Sequence, residues 1–274
     1  MGASGLAAVL HAAALLLRLS EDWDWFVPLS TSDYPLWTQD DILYAFSSLP
    51  RDLNFVGFTN QRRNISQIVV DPSLYLTEKT PIFYAEETRP KPDAFHVFGG
   101  SQWMILSRGF LDHIVNGLDN LPRKLLMYFN NVVFPLESYF HTVLCNTPEF
   151  HNTTVNHNLR YVIQNVSINN AISEEAIFAG PFREDDPKMQ EIDKEFLNRD
   201  LDRAVPGKWC VETELMNETA RISEDFCPVW GDIDVLEDGD RGIKLQKSLS
   251  RIVEEKRSVS SLCKSRFMQS ERKR

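Results

Sequence analysis

The sequence predicts a mixed α/β fold with an irregular C-terminal lobe. Strand-length apolar runs such as LNFVGF alternate with segments of helical period, and several of those segments open on good caps. From Pro206 onward the pattern turns loop-like. The chain has 274 residues, 43% of them hydrophobic, enough for one large domain or two modest ones. The change of character places a boundary near 203/204: residues 1–203 form the main domain, and 204–274 an extension of loop, amphipathic helix and basic tail.

Taken in order, Leu6 to Leu17 is a twelve-residue apolar run broken by His11. It is short for a membrane span and lacks the basic flank of a signal peptide, so it reads as an alanine- and leucine-rich helix packed inside a domain. No upstream segment is present to bury it, which leads us to expect that the natural N-terminal portion is missing. Asp24 to Leu29 reads as a buried strand, and STSDYPLWTQDD as a loop leading into a helix. Thr38 is a good N-cap there, with Asp40 and Asp41 in the first turn, where the helix dipole favours acids. Leu53 to Phe58 is a second strand. Residues 59–95 form a long irregular connection with strand-like pieces at Gln67–Val70 and Ile82–Tyr84.

Phe98 begins a glycine turn, followed by a short strand and a helix from Ser107. Leu121-Pro122 breaks that helix, and the next carries Leu125, Leu126, Tyr128 and Phe129. FPLESYFHTVLCN reads as a helix with Glu137 in its first turn. Thr153 to Gln164 reads as a strand. Asp185-Asp186-Pro187 starts a helix bearing Met189, Ile192 and Phe196 on one face. Leu245, Leu249 and Ile252 mark an amphipathic stretch before the basic end SRFMQSERKR.

Composition narrows the chemistry. A net charge of −10 argues against a nucleic-acid-binding surface. Cys145, Cys210, Cys227 and Cys263 show no CxxC spacing, which argues against a zinc site; in an oxidising compartment one disulfide is expected in the C-terminal part, where Cys210 and Cys227 flank a polar loop and Cys263 lies further on, the pairing left open. Four N-x-S/T sequons, at Asn64, Asn152, Asn165 and Asn217, suit a secretory-pathway protein. No phosphate-cradling glycine loop, GxSxG elbow or HExxH motif is present. Asp22-Trp23-Asp24 looks like a metal-binding DxD, yet it precedes a strand rather than ending one. His141, His151 and His157 have no ligand spacing and read as structural or surface groups.

EDWDWFVPLSTSDYPL, FHVFGGSQWMILSR and FPLESYFHTVLCN, in this order and spacing, resemble the plant branch of the Core-2/I-branching glycosyltransferase family. RDLNFV, LPRKLLMYF, VNHNLRY, GKWC and CPVWGDIDVL extend the likeness over nearly the whole chain. The resemblance implies a GT-A-like catalytic domain in residues 1–203, without its uridine-binding half and membrane anchor. It implies inverting transfer from a UDP-sugar to a glycan or glycoprotein, with no metal cofactor expected, by a type II protein of the Golgi lumen. Any membrane association would come only through an anchor absent from this chain. Glucuronosyl transfer to the β-galactan of arabinogalactan proteins is the favoured reaction. N-acetylglucosaminyl or xylosyl transfer on the same scaffold is the alternative, as is an inactive relative serving as a partner protein.

An inverting transfer needs one base for the acceptor hydroxyl and positive partners for the departing diphosphate. By its place in ESYFHTV, Glu137 matches the base of the family. From its residue surroundings alone it reads rather as a first-turn acid behind Pro135, with His141 one turn on as a partner, and the motif match is what favours the base. Asp33 is either a turn carboxylate capping a backbone amide or a donor or acceptor contact. Ser101 and Trp103 are further candidates for sugar contact, although a core tryptophan is the alternative for Trp103. Relatives are expected to carry a stretch like FARxF whose arginine grips the diphosphate. Here the text is IFAGPF, with Gly180 and Pro181 at those places and Arg183 three positions out of register.

Overall fold

Chain contacts do not separate at 203/204. The computed structural model describes residues 2–59, 65–76, 80–90, 92–163, 175–199, 204–205, 207–210, 227, 229–232, 234–236 and 239–264. It divides into two units: Met1–Pro28, Pro50–Asn158 and Val253–Arg274 form the first, Leu29–Leu49 and Leu159–Ile252 the second. Unit membership follows long-range pairing, which composition does not report.

The first unit is built on α1 (Ala3–Leu19), β1 (Trp25–Phe26), β3 (Asn54–Phe58), β4 (Gln67–Val70), β5 (Phe83–Thr88), β6 (Gly100–Ser107), α3 (Arg108–Val115), α4 (Leu121–Phe129), α5 (Tyr139–Asn146) and β7 (Thr154–Val155). Its mixed four-stranded sheet runs β1-β6-β3-β7, with β3 antiparallel to β6 and parallel to β7. β4 and β5 pair separately as an antiparallel ribbon. Leu6, Ala13 and Leu17 of α1 join Val56, Leu106, Phe110, Leu125, Phe129, Tyr139 and Phe140 in one core. Burial pushes the phenol pKa of Tyr139 upward, and its hydroxyl donates to Pro122 O at 3.2 Å.

The second unit contains β2 (Tyr34–Pro35), α2 (Gln39–Ser47), β8 (Arg160–Val162), β9 (Phe178–Gly180) and α6 (Pro187–Glu195). Its three-stranded sheet has the order β2-β9-β8, β2 antiparallel and β8 parallel to β9. A further helix, α7 (Asp240–Lys256), belongs to the second unit up to Ile252, with Leu245, Leu249 and Ile252 buried, and its residues from Val253 on count with the first. This mixed α/β architecture is consistent with a GT-A-like domain.

Three helix starts lie where the sequence placed them. Thr38 forms a full capping box with Asp41, Ser107 caps α3 by accepting from Phe110 N, and Asp186 caps α6 by accepting from Lys188 N. Two strand expectations need correction. Asp24 to Leu29 yields only the two-residue β1, and Thr153 to Gln164 is not one strand. It splits into β7 and β8, which belong to different sheets, because Leu159 between them takes a left-handed φ of 53° that no strand tolerates. Residue 164 lies outside the described residues.

Cysteine pairing also exceeds the expectation of one disulfide. Cys210 pairs with Cys227, and Cys263 pairs outside that region with Cys145, joining α5 to a short helical stretch at 260–264, with Cα atoms 5.4 Å apart. The returning chain is fastened beside it. Val155 bridges Arg257, and Ser258 N donates to Thr154 O at 2.9 Å. Among the described residues no helix is long and apolar enough to cross a membrane.

The start of α1 is capped from a distance. Its own N-cap, Gly2, offers no side chain, and Asp71 takes the role: Ser4 N and Oγ donate to Asp71 Oδ2 at 3.0 and 2.7 Å. Gly2 is required there, since a Cβ would lie 2.3 Å from that same oxygen. Burial opposes ionisation of Asp71, but hydrogen bonds from Ser73 and Ser4 outweigh it and bring the carboxyl down to about 2. With the folded value below the ordinary one, this stabilisation is complete above about pH 4 and is lost as pH falls towards 2. Asp71→Asn should therefore cost about 1–2 kcal/mol near neutrality. In urea titrations at stepped pH, the gap between the two proteins should close through that acid window.

Candidate active site

In the first unit the pairing of β3 with β6 builds the site. At one end Asn54 Oδ1 accepts from Ser107 N and Oγ at 2.9 and 3.1 Å. At the other, β6 starts at Gly100, where an added Cβ would lie 2.0 Å from Gly57 O and 2.5 Å from His141 Nε2. The FGGS text is thus a packing requirement: only glycine lets the strand approach both Gly57 and the imidazole. His141 is fully buried, its Nε2 lies 3.2 Å from Gly57 O, and its ring meets Phe58 edge-on at 5.1 Å. A carbonyl partner requires the proton on Nε2.

Between those ends the strands fall out of step. Val56 pairs with Met104 and Phe58 with Gly100, two steps along β3 against four along β6. The surplus on β6 forms a bulge over Ser101, Gln102 and Trp103, a feature that re-aims side chains at the edges of sites. Ser101 Oγ accepts from Trp103 N at 3.1 Å and from Asn158 Nδ2 at 2.8 Å, so towards a ligand it is left chiefly as a donor. Trp103 is half-buried. On the flank, Phe58 N donates to Asn156 Oδ1 at 2.9 Å. Burial, helped by Lys256, lowers His157 to about 4, so it is neutral at ordinary pH.

Glu137 ends the 3-10 turn Pro135–Glu137, just before α5, instead of lying in the helix's first turn. That turn packs against α1, α5 and β6. Its shape follows from Phe134, whose φ of 52° is left-handed, and from Pro135, whose ring fixes its own φ. Glu137 is half-buried at the positive end of α5, while Tyr139 and Phe140 are in the core. Phe134, before the turn, is 45% exposed.

The second unit holds the other two candidates. Asp33 is buried: Oδ2 accepts from Ser30 N and Oγ at 2.7 and 2.9 Å, and Oδ1 from Arg160 Nε at 2.8 Å and Nη2. The two side chains are 0% and 6% exposed, which makes this an internal ion pair as well as a turn cap. Gly180 lies directly over it. A Cβ there would sit 2.6 Å from Asp33 Oδ1 and 2.9 Å from Arg160 Nη2. The place where a FARxF arginine would stand is therefore closed to any side chain in this chain. Arg183 is exposed, beyond the cis Gly180–Pro181 bond. Nearby, Tyr34 donates to Asp193 Oδ1 at 2.6 Å and accepts from Arg199. Burial and the bond to Asp193 raise the Tyr34 pKa.

The structure brings Glu137, Ser101 and Trp103 into the first unit and places Asp33 and Arg183 in the second. Arg160, Asn158 and Gly180 were not singled out as site residues, although VNHNLRY and IFAGPF contained them. An internal charge pair 127 residues apart leaves no local pattern to read. His141 and His151 are buried structural groups, His151 Nε2 lying 3.2 Å from Cys145 O. Asp24 of the DxD-like text pairs with Arg51 at 3.6 Å. Asn152 is exposed, while Asn64, Asn165 and Asn217 lie outside the described residues.

The sequence model of the Core-2/I-Branching enzyme matches residues 1–198. The chain belongs to the Core-2/I-branching enzyme family. Among its relatives, beta-glucuronosyltransferase GlcAT14A of Arabidopsis thaliana is 41% identical over 280 residues, covering 96% of this chain and 61% of that protein. GlcAT14B of the same plant is 40% identical over 269 residues, covering 92% and 61%. Xylosyltransferase 1 of Homo sapiens is 34% identical over 167 residues, covering 58% of this chain and 16% of its own length. The chain thus spans about three fifths of the length of the glucuronosyltransferases it matches.

The Asp33–Arg160 pair should be a keystone of stability in this family member. Asp33→Ala leaves a buried guanidinium without its anion and should cost about 3–5 kcal/mol. Gly180→Ala should cost about 1–3 kcal/mol by crowding the same pair. Urea midpoints with unchanged slopes are the check.

Proposed function

We propose that this chain is the catalytic part of an inverting UDP-sugar glycosyltransferase that adds glucuronic acid to the β-galactan chains of arabinogalactan proteins. Supporting this reading is identity of 40–44% to three plant proteins named beta-glucuronosyltransferases. The observation that carries it is Glu137, half-buried at the start of α5, on a turn packed against the strand that carries Ser101 and Trp103. In the proposed step an acceptor hydroxyl attacks the anomeric carbon in line. Its proton passes to the Glu137 carboxylate, the new O–C bond forms, and the C–O bond to UDP breaks with inversion. The leaving diphosphate needs positive charge and no proton. We assign that charge to basic side chains, with no metal cofactor.

Xylosyl transfer is the second reading, favoured by the 36% identity over 58% of the chain to xylosyltransferase 1 of Rattus norvegicus. The compartment we propose is the Golgi lumen, for a full-length type II protein. Two disulfides and the exposed sequon asparagine Asn152 fit an oxidising, glycosylating lumen.

Transfer should be measured with UDP-glucuronate, UDP-xylose and UDP-N-acetylglucosamine on a β-galactan acceptor, with and without chelator. UDP-glucuronate should react fastest and chelator should leave the rate unchanged. Glu137→Gln should lower kcat about 10²–10⁴-fold with little change in the unfolding midpoint. Retained activity in that variant sinks the assignment of the base, and absence of transfer from every donor favours the inactive-partner reading.

A further inference from the structure

The second unit carries an aromatic feature that the transfer step does not use. Trp209 and Trp230 stand with ring centroids 5.9 Å apart, tilted by 56°. Trp230 is 75% exposed, a large apolar surface to leave in water. Its support is nonetheless closely built. Trp209 Nε1 donates to Val205 O at 3.1 Å, and Gly231 N donates to Trp209 O at 2.8 Å. Cys210 bridges both Gly207 and Trp230 through the backbone, and its thiol is tied to Cys227. Two glycines are obligatory: a Cβ on Gly231 would lie 1.9 Å from Lys208 O, and one on Gly207 would lie 2.8 Å from the Trp209 ring. A disulfide and two side-chain-free positions thus hold a bare indole in one place.

We propose that Trp209 and Trp230 form a carbohydrate-binding shelf that takes a neutral, β-linked glycan. This rests on the reading of the protein as a glycan-modifying transferase. The chemistry around the rings selects the ligand class. Asp40 Oδ2 accepts from Lys208 N at 2.9 Å beside Gly207, and the exposed Asp232 and Asp234 follow Trp230 in the chain. These carboxylates accept from sugar hydroxyls while the C–H face of a pyranose lies on the exposed indole. Asp40, Asp232 and Asp234 outnumber the exposed Lys208 beside Trp209, so the net field disfavours anions and the shelf suits a neutral glycan rather than the nucleotide-sugar donor or an anionic lipid surface.

Titration of the full chain with a long β-linked galacto-oligosaccharide, read by calorimetry and by tryptophan fluorescence, tests the shelf. Trp230→Ala should weaken binding of the long oligosaccharide about tenfold, with Trp230→Phe recovering most of it and a disaccharide affected far less. Because Trp230 is exposed, circular dichroism and the unfolding midpoint should remain those of the parent protein. Unchanged oligosaccharide affinity in Trp230→Ala overturns the proposal. So does a variant that alters only self-association, which would make the indoles a protein contact. If the parent transfers sugar from no donor yet loses oligosaccharide binding in Trp230→Ala, the transferase reading fails and the shelf stands. If transfer proceeds and binding is indifferent to Trp230, the shelf fails alone.

Discussion

The first unit depends on how closely β3 and β6 approach each other. That approach is set at one end by Asn54 accepting twice from Ser107, and at the other by a glycine that admits an imidazole. With both ends pinned, the two surplus residues of β6 have nowhere to go but outward, and the bulge over Ser101 to Trp103 follows. His141 carries the constraint onward. Seated against Gly57 O, it fixes α5, and α5 fixes the turn that ends at Glu137. The candidate base is therefore located by the backbone of a strand pair, through a buried ring, rather than by its own contacts alone.

Local signals were legible in the sequence, and distant ones were not. Thr38, Ser107 and Asp186 announced their helices because a cap is a contact among neighbours. The segment from Thr153 was misread as one strand because apolar alternation says nothing of a left-handed residue at Leu159 or of a change of sheet. β2 passed as loop because Tyr34 and Pro35 gain strand geometry only by pairing with Ala179 and Phe178. The site divided in the same way. Glu137, Ser101 and Trp103 stand in texts that mark them, whereas Arg160 is meaningful only once Asp33 is beside it.

Gly180 shows how a departure from a motif can have a physical reason. Placed over an internal ion pair, it forbids any side chain, whatever the surrounding text suggests. Charge that a motif would put on a strand end is held one strand away, on Arg160, and is already committed to a carboxylate. Recognition of an anion by this unit would have to draw on other cations, of which Arg183 is exposed.

The Cys145–Cys263 bond closes a loop of 118 residues, within which the chain leaves the first unit after Asn158 and rejoins it at Val253. By chain entropy, such a closure disfavours the unfolded state by about 4–5 kcal/mol. Topologically the part of the second unit from Leu159 to Ile252 is a lobe strung on a covalent ring, while Leu29–Leu49 lies outside it. A protease could cut that lobe between Leu159 and Ile252 and the fragments would still travel as one molecule, with the scaffold under Glu137 still clasped, until a reductant opened the clasp.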